Sequence, residues 1–328
     1  MNKSNILLTG GLGYIGSHIA VELLLQNNNI IIIDNLSNST YSVLDIIEKE
    51  TNKKPIFFNI DLVKEIELLD VLFNEYKIDL VIHLAGLKSV NESINNPINY
   101  YETNIVSSIN LIKIMEKYKC KKIIFSSSST VYGSSLAPYN EETETGKGIS
   151  NPYGKTKYFQ EEIFKDLYNS DNSWDIVILR YFNPISQRSK DMSEKPKGKP
   201  NNLFPYILQV YNGEREELEI FGNDYKTFDG TCIRDFIHVV DVAKAHACVS
   251  NNLLNNKISF KIYNIGTGEG ISVQQLINQF ELINNVKINY KYVNKREGDL
   301  EQSFGDVSLI KKELNWNAKF NLHDMVLL

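Results

Sequence analysis

Short apolar runs and longer amphipathic stretches alternate through the first half of the chain. The apolar runs fall at residues 6–8, 30–33, 56–58, 80–84, 123–125 and 176–179. Between them the spacing of apolar positions predicts helices, among them 14–25, 65–76, 99–117 and 152–167. A short apolar run followed by a helical period, repeated, is the pattern of βαβ units with a parallel sheet buried on both faces. The expected fold is therefore α/β, a Rossmann-type doubly wound parallel sheet. After about Tyr181 the pattern loosens, and residues 187–200, rich in Lys, Pro and Ser, read as a long surface loop. This places a boundary near residue 180. Residues 1–180 form the sheet domain, and 181–328 form a smaller, mainly substrate-facing domain with some segments returning to the first. No internal repeat and no sustained heptad is present.

Ligands of such sheets bind beyond the carboxyl ends of the strands, so motifs at those ends carry the most weight. The first strand runs into Thr9-Gly10-Gly11-Leu12-Gly13-Tyr14-Ile15-Gly16 and then a helix. Gly11, Gly13 and Gly16 have the dinucleotide spacing: a tight turn, a backbone able to touch a pyrophosphate, and a helix N-terminus aimed at the anion. Asp34 ends the second strand. A carboxylate there accepts hydrogen bonds from ribose hydroxyls and repels a 2′-phosphate, which selects NAD over NADP.

The strand at 123–125 empties into Ser126-Ser127-Ser128-Ser129-Thr130. Downstream, Asn151 and Pro152 are a cap and a first helical residue, and they place Tyr153 and Lys157 one turn apart on one helix face. A phenol titrates near ~10. A neighbouring ammonium favours the phenolate and fits tyrosine to act as a base, with a serine hydroxyl beside it. Tyr118 and Lys122 repeat the spacing, but they lie at a helix end with no serine before them, and they read as a coincidence.

Composition changes this picture little. The chain has 328 residues, 42% apolar and 23% charged, with a net charge of −5, which argues against nucleic acid or an anionic membrane as partner. Cys120, Cys232 and Cys248 have neither metal nor redox spacing, and the five histidines form no ligand cluster, so no metal is expected. A polar start runs directly into the first strand with no leader segment, and no apolar run approaches a membrane span. Together with the unpaired thiols this implies a cytoplasmic protein.

Gly10, Gly13 and Gly16 with Ser128, Tyr153 and Lys157 resemble the extended short-chain dehydrogenase/reductases. Asp34-Asn35, His83-Leu84-Ala85-Gly86-Leu87-Lys88, Thr130-Val131-Tyr132-Gly133, Arg180-Tyr181-Phe182-Asn183-Pro184, Pro200-Asn201-Asn202-Leu203, Ile220-Phe221-Gly222-Asn223-Asp224-Tyr225, Arg234-Asp235-Phe236-Ile237-His238-Val239 and Arg296-Glu297-Gly298-Asp299-Leu300 narrow the likeness to the UDP-glucose 4-epimerase branch. These strings follow one another in order along nearly the whole chain.

The resemblance implies an NAD-dependent isomerase. It would invert C4 of UDP-glucose and UDP-galactose through a 4-keto sugar, with NAD tightly bound. Tyr153 would be the base, Ser128 its partner, and Lys157 would hold the nicotinamide ribose and favour the phenolate. NAD would meet the glycine loop with Tyr14 and Ile15, then Asp34, Asn35, Asp61, Leu62, Leu84, Ala85, Gly86, Lys88, Asn104, Tyr153, Lys157 and Tyr181. The UDP-sugar would meet Lys88, Ser128, Tyr153, Asn183, Asn202, Leu203, Phe221, Arg234, Arg296, Asp299 and Ser303. Arg234 and Arg296 can fork a diphosphate, Phe221 can pack on uracil, and Asp299 can accept ribose hydroxyls. The helices at 99–117 and 152–167 would pair across a two-fold axis in a homodimer.

Two features depart from the family or extend it. Ser186-Gln187-Arg188 stand where relatives carry Gly-Ala-His. Ser303 occupies the position at which a tyrosine confines relatives to glucose and galactose, so the resemblance also implies activity on UDP-GlcNAc and UDP-GalNAc. A 4,6-dehydratase would need an Asp-Glu pair where Ser129-Thr130 stand. A uronate epimerase remains as an alternative, and so does a silent NAD-binding sensor, which would be expected to lack Tyr153 or Lys157.

Overall fold

The computed structural model describes residues 3–194, 200, 202–296 and 298–328. Asn201, Glu297 and positions 195–199 of the Lys/Pro-rich loop, all read from the sequence above, lie outside the described residues. Strands β1 (Asn5–Thr9), β2 (Asn29–Ile33), β3 (Ile56–Phe58), β4 (Leu80–His83), β5 (Lys122–Ser128) and β6 (Asp175–Tyr181) alternate with helices. The helices are α1 (Tyr14–Leu25), α2 (Val43–Thr51), α3 (Ile66–Glu75), α4 (Val90–Asn95), α5 (Pro97–Tyr101), α6 (Ser107–Lys117) and α7 (Pro152–Ser170). Beyond them come β7 (Asn183–Ile185), α8 (Leu203–Tyr211), β8 (Leu218–Phe221), β9 (Ile233–Arg234), β10 (Phe236–His238), α9 (Val239–Asn255) and β11 (Phe260–Ile265). The chain continues through β12 (Ile271–Ser272), α10 (Val273–Asn284), β13 (Tyr290–Val293), β14 (Gln302–Ser303), α11 (Ser308–Leu314) and α12 (Leu322–Val326).

The central sheet has seven strands in the order β11-β6-β5-β4-β1-β2-β3, every pairing parallel. The chain winds one way from β1 to β3 and the other way from β4 to β6. The switch therefore lies between β1 and β4, and the carboxyl ends there open into a crevice. Both faces are covered, which explains why the strands are continuous apolar runs and not alternating ones. Ile6 and Leu8 face one core with Ile19 and Leu23 of α1 and Val242 of α9. Leu7 faces the other with Leu69 of α3, Leu111 of α6 and Phe164 of α7. Each such side chain contributes roughly 1.5–3 kcal/mol on burial.

The boundary at residue 180 cuts through this sheet: β11 pairs along β6 from Phe260 to Ile265, and α9 packs on α1. The remaining elements form a third core around Phe204, Leu218, Leu276 and Phe280. Several sequence-read bounds shift. The strand at 80–84 stops at His83, and the helix at 152–167 runs on to Ser170. The helix read at 99–117 begins at Pro97 and contains a π-turn over Glu102–Val106. The loop at 187–200 holds a short 3₁₀ turn, Lys190–Met192.

Candidate active site

The glycine loop is shaped by what it excludes. Gly10 has φ +69°, and a Cβ there would lie 2.9 Å from Ala85 Cα on the neighbouring loop. A Cβ on Gly16 would lie 2.4 Å from the Gly10 carbonyl oxygen, so α1 can approach the turn only as glycine. Gly13 precedes α1 and no side chain caps the helix, which leaves first-turn N–H groups and the dipole available to an anion. At the end of β2, Asp34 accepts from Leu12 N (3.1 Å), Leu36 N (3.0 Å) and Ser39 Oγ (2.8 Å). A backbone cradle closed to any Cβ, an uncapped helix and a fixed carboxylate at the next strand end are the parts an NAD molecule needs. The residues present fit it.

Across the switch point, β5 delivers Ser128 and α7 delivers Tyr153 and Lys157. Asn151 Oδ1 accepts from Gly154 N at 2.8 Å, so the cap read from sequence starts the helix, with Pro152 behind it. Burial raises the Tyr153 pKa, and a hydrogen bond with Ser128 works against that. Burial lowers Lys157 to about 8, opposed by the Glu161 carboxylate. The Lys157 ammonium donates to the Ser126 carbonyl at 2.9 Å. The Tyr181 hydroxyl lies 2.7 Å from Ser126 Oγ. The alternative pair is elsewhere: Tyr118 donates to Asp70 O, and Lys122 reaches the carbonyl of Leu253.

These groups line one cleft of about 1120 Å³, larger than the roughly 300–1,000 Å³ of an ordinary small-molecule pocket. The cleft collects Gly10, Gly13, Tyr14, Ile15, Gly16, Asp34, Asn35, Asp61, Leu62, Leu84, Ala85, Gly86, Lys88 and Tyr181 from the cofactor set. From the substrate set it collects Asn183, Asn202, Leu203, Phe221, Arg234, Arg296, Asp299 and Ser303. Asn104 stands back from it. Fully buried in the π-turn, Asn104 accepts from Leu87 N at 2.8 Å and donates to Leu87 O and Thr156 Oγ1. In this position Asn104 ties the Gly86–Lys88 turn to α7.

Four substrate residues also have partners that the sequence did not suggest. Arg234 donates to the carbonyls of Ile233 and Leu300, both at 2.9 Å, and lies 3.8 Å from Asp299. The Arg296 guanidinium stacks 3.7 Å from the Phe221 ring centre, covering aromatic surface assigned above to uracil. Lys88 is paired with Glu194, which also meets Asn202 Nδ2 at 3.3 Å. Glu194 and Ser39 line the cleft without having been read from sequence, because each sits in a polar loop whose composition carries no periodic signal. The unusual Ser186–Arg188 loop packs on the start of α1. Ser186 (φ +71°) accepts from the Tyr14 hydroxyl at 2.6 Å, and Arg188 pairs with Glu22.

Comparison with known proteins gives one consistent answer. Residues 6–266 match the NAD dependent epimerase/dehydratase family. The chain is 45% identical over 322 residues to the UDP-glucose 4-epimerase of Bacillus subtilis (strain 168), covering 98% of this chain and 94% of that protein. The crystal structure of UDP-glucose 4-epimerase from Bifidobacterium longum in complex with NAD+ and UDP superposes with a TM-score of 0.94 at 44% identity, covering 98% and 96% of the two chains. The UDP-Glc/GlcNAc 4-epimerase of Campylobacter jejuni superposes with a TM-score of 0.84 at 32% identity, covering 98% of this chain and 97% of that one.

Proposed function

We propose, for a chain that belongs to the NAD dependent epimerase/dehydratase family, that it interconverts UDP-glucose and UDP-galactose by inverting C4 of the hexose, with NAD retained throughout. The observation that carries this is one cleft in which the Gly10–Gly16 cradle, the Ser128–Tyr153–Lys157 group and the Phe221–Arg234–Arg296–Asp299 group all open on the same space. The likeness to proteins solved with NAD+ and UDP supports it.

Tyr153 Oη takes the proton from the 4-hydroxyl, and Ser128 Oγ holds the same oxygen. Lys157 remains a cation at neutral pH, since its pKa is about 8, and its charge favours the phenolate that Tyr153 becomes. NAD, when bound by the glycine loop and Asp34, supplies a reversible hydride acceptor for C4. Phe221, Arg234, Arg296 and Asp299 keep the nucleotide anchored while the 4-keto hexose turns over. Tyr153 then returns its proton to the same oxygen, so proton and base are restored after each cycle.

Ser303 sits half-buried on β14, level with Arg234 of β9, and faces the cleft. Its small side chain leaves space beside the sugar, and we extend the reading to the N-acetylated UDP-sugars. Phe159 of α7, on a helix expected to pair, and Ile98 of α5 and Ile94 of α4, just before the other, are exposed apolar residues, which supports a homodimer. The thiols of Cys120, Cys232 and Cys248 are free, and no helix among the described residues is long and apolar enough to cross a membrane. We place the protein in the cytoplasm. We also divide it into a cofactor part, 1–180 joined by α9 and β11, and a substrate part from the rest.

The test is incubation with UDP-glucose, UDP-galactose and their N-acetylated forms, with the products separated. Interconversion within both pairs is expected. Ser303→Tyr should keep the first pair and slow the second by roughly 10–200-fold, the range a steric change in a pocket commands. No interconversion of any of the four sugars refutes the reading, and an unchanged N-acetyl rate in Ser303→Tyr refutes the role of Ser303.

A further inference from the structure

Beneath the cleft, on the side of β5 away from Ser128, lies a buried ion pair that the reaction does not use directly. Successive residues of a strand point to opposite faces. Ser126 and Ser128 turn toward Tyr181 and the cleft, so Ser127 turns the other way, toward α7. Register aligns Ser127 with Arg180 of β6, and Arg180 with Asn264 of β11. Glu161 descends on this row from α7, one turn beyond Lys157 and two beyond Tyr153. Its carboxylate accepts from the Ser127 hydroxyl, from Arg180 Nε at 3.1 Å and from Arg180 Nη2 at 2.7 Å. Arg180 Nη1 donates to the Tyr132 hydroxyl at 3.0 Å, which reaches Asn264 Oδ1 at 2.6 Å. Glu161 and Arg180 are 4% and 3% exposed.

We propose that Glu161 is the positioning residue of this site, clamping the helix that carries Tyr153 and Lys157 onto the strand end that carries Ser128 through its shared bonds to Ser127 and Arg180. The inference rests on the epimerase reading above. An ion pair so deeply buried is weak evidence for stability, because desolvation offsets most of its attraction. Its geometry is more telling. A single carboxylate bonds to two adjacent strands at the residues immediately before Ser128 and Tyr181, while its helix presents the base and the ammonium at i−8 and i−4. A shift of α7 along the sheet would break three hydrogen bonds to a desolvated group.

The charge of Glu161 has a second consequence. The Ser126 carbonyl and the Phe125 ring face the Lys157 ammonium, but its titratable neighbours other than Glu161 are neutral. His83 of β4 is held neutral by burial, with a pKa of about 3. Tyr181 of β6 reaches Ser126 as a neutral phenol, and Tyr153 on the same helix is neutral in the free protein. The Phe125 ring lies 4.8 Å from the ammonium. Glu161 is the group that opposes the desolvation of Lys157. For Arg180, burial alone would lower the pKa, but the same carboxylate outweighs it and holds the guanidinium above its ordinary range.

The experiment uses the full chain as purified, with lysine carbon-13 labelled and the Lys157 signal assigned by its loss in Lys157→Met. Glu161→Gln keeps an acceptor for Ser127 and removes the charge. The double variant Glu161→Gln/Arg180→Met removes both charges and so leaves no lone buried cation, and it is expected to fold. In both, the Lys157 titration midpoint should fall by about one pH unit, the direction expected when an opposite charge is withdrawn. The alkaline limb of kcat should fall with it, and kcat should drop at least tenfold while KM for UDP-glucose stays within threefold. A Lys157 midpoint and kcat equal to wild type in the folded double variant overturn the proposal. So does a loss of activity that appears entirely in KM. A wild-type protein without epimerase activity counts against the function proposed above, and the amine titration is read independently of it.

Discussion

Gly10, Gly13 and Gly16 shape their part of the cleft with backbone, on a loop fixed between β1 and α1. Arg234, Asp299 and Ser303 shape theirs with side chains, carried on strands of two residues or on turns. The first region is backed by the central sheet and two apolar cores. The second stands on the smaller third core, and its short strands and turns are fixed by buried polar contacts. Asp235, fully buried beside Arg234, accepts from Thr267 N and Thr267 Oγ1 at 2.8 Å and from Gly268 N at 3.0 Å, tying the turn after β11 to β9. The contrast suggests that cofactor binding tolerates side-chain change but not added volume. Substrate binding should tolerate added volume at Ser303 but not the loss of a single polar anchor.

The largest effect should come where the two regions meet. Tyr153→Phe removes the phenolic oxygen and leaves Arg234, Arg296 and the glycine loop in place. Turnover should fall by roughly 10²–10⁴-fold, the usual contribution of a positioned acid–base group, with UDP binding and NAD content unchanged. A Tyr153→Phe enzyme of near wild-type rate would place the base elsewhere. Next comes Gly16→Ala. The new methyl would meet backbone that cannot swing away, the Gly10 carbonyl oxygen at 2.4 Å. A loss of about 3 kcal/mol, the upper end of ordinary overpacking, is expected. The protein should also lose the NAD that wild type releases on denaturation. Full retention of NAD by Gly16→Ala would refute the close approach.

The same contrast explains what could be read before the structure. The central sheet was legible because burial on both faces writes continuous apolar runs, and the helices between them because their apolar period is local. The β3 run at 56–58 matches its strand to the residue. The cap at Asn151 and the glycine loop were legible for a similar reason, since residues a few positions apart do the work. β9, β12 and β14 were not, because strands of two residues have no period and are held by partners distant in sequence. Nor was the joining of β11 to β6, which depends on a crossover of some eighty positions. Asn104 entered the cofactor set through the overall resemblance and not through a local motif. The π-turn that carries it, and its bonds to the Gly86–Lys88 turn, leave no mark in composition. Glu194 pairs with Lys88 across more than a hundred positions and had no local signal at all.

Asp235→Asn tests the anchored side of the comparison. The carboxylate meets three donors, whereas an amide offers one acceptor oxygen and turns its own N–H groups toward a donor. The expected loss is about 2 kcal/mol, within the roughly 1–3 kcal/mol for a buried group left unsatisfied. It should appear as weaker UDP-sugar binding and lower thermal stability, with NAD retained. Equal losses of NAD and UDP-sugar affinity would show that the two regions are not separable in this way.

The smallest effect is a pH dependence. His83 lies between Thr9 Oγ1 at 2.8 Å and Ser108 Oγ at 2.9 Å. His246 Nδ1 lies 2.9 Å from the Val242 carbonyl, so Nδ1 carries the proton and Nε2 is left to accept, 2.6 Å from the Tyr181 hydroxyl. Burial lowers His83 to about 3 and His18, His238 and His246 to about 4. Each of these values is below that of an unfolded histidine, near ~6.5. The stability of the neutral form is therefore complete above about pH 6.5 and is lost as the pH falls toward 4, at up to about 1.4 kcal/mol per pH unit for each residue. Asp235 has the opposite sign. Burial raises it to about 6, so its protonated form is favoured by folding, and its contribution is lost as pH rises through that value. Acid should thus weaken the packing around α1, β4 and α9 while relieving the buried charge beside β9. Unfolding free energies from denaturant titration should fall between pH 7 and 5 in wild type and fall less steeply in His246→Gln, by about 1 kcal/mol over the first unit. Parallel slopes in the two proteins would show that His246 is already charged in the fold, and Nε2 would then donate to Tyr181 in place of accepting from it.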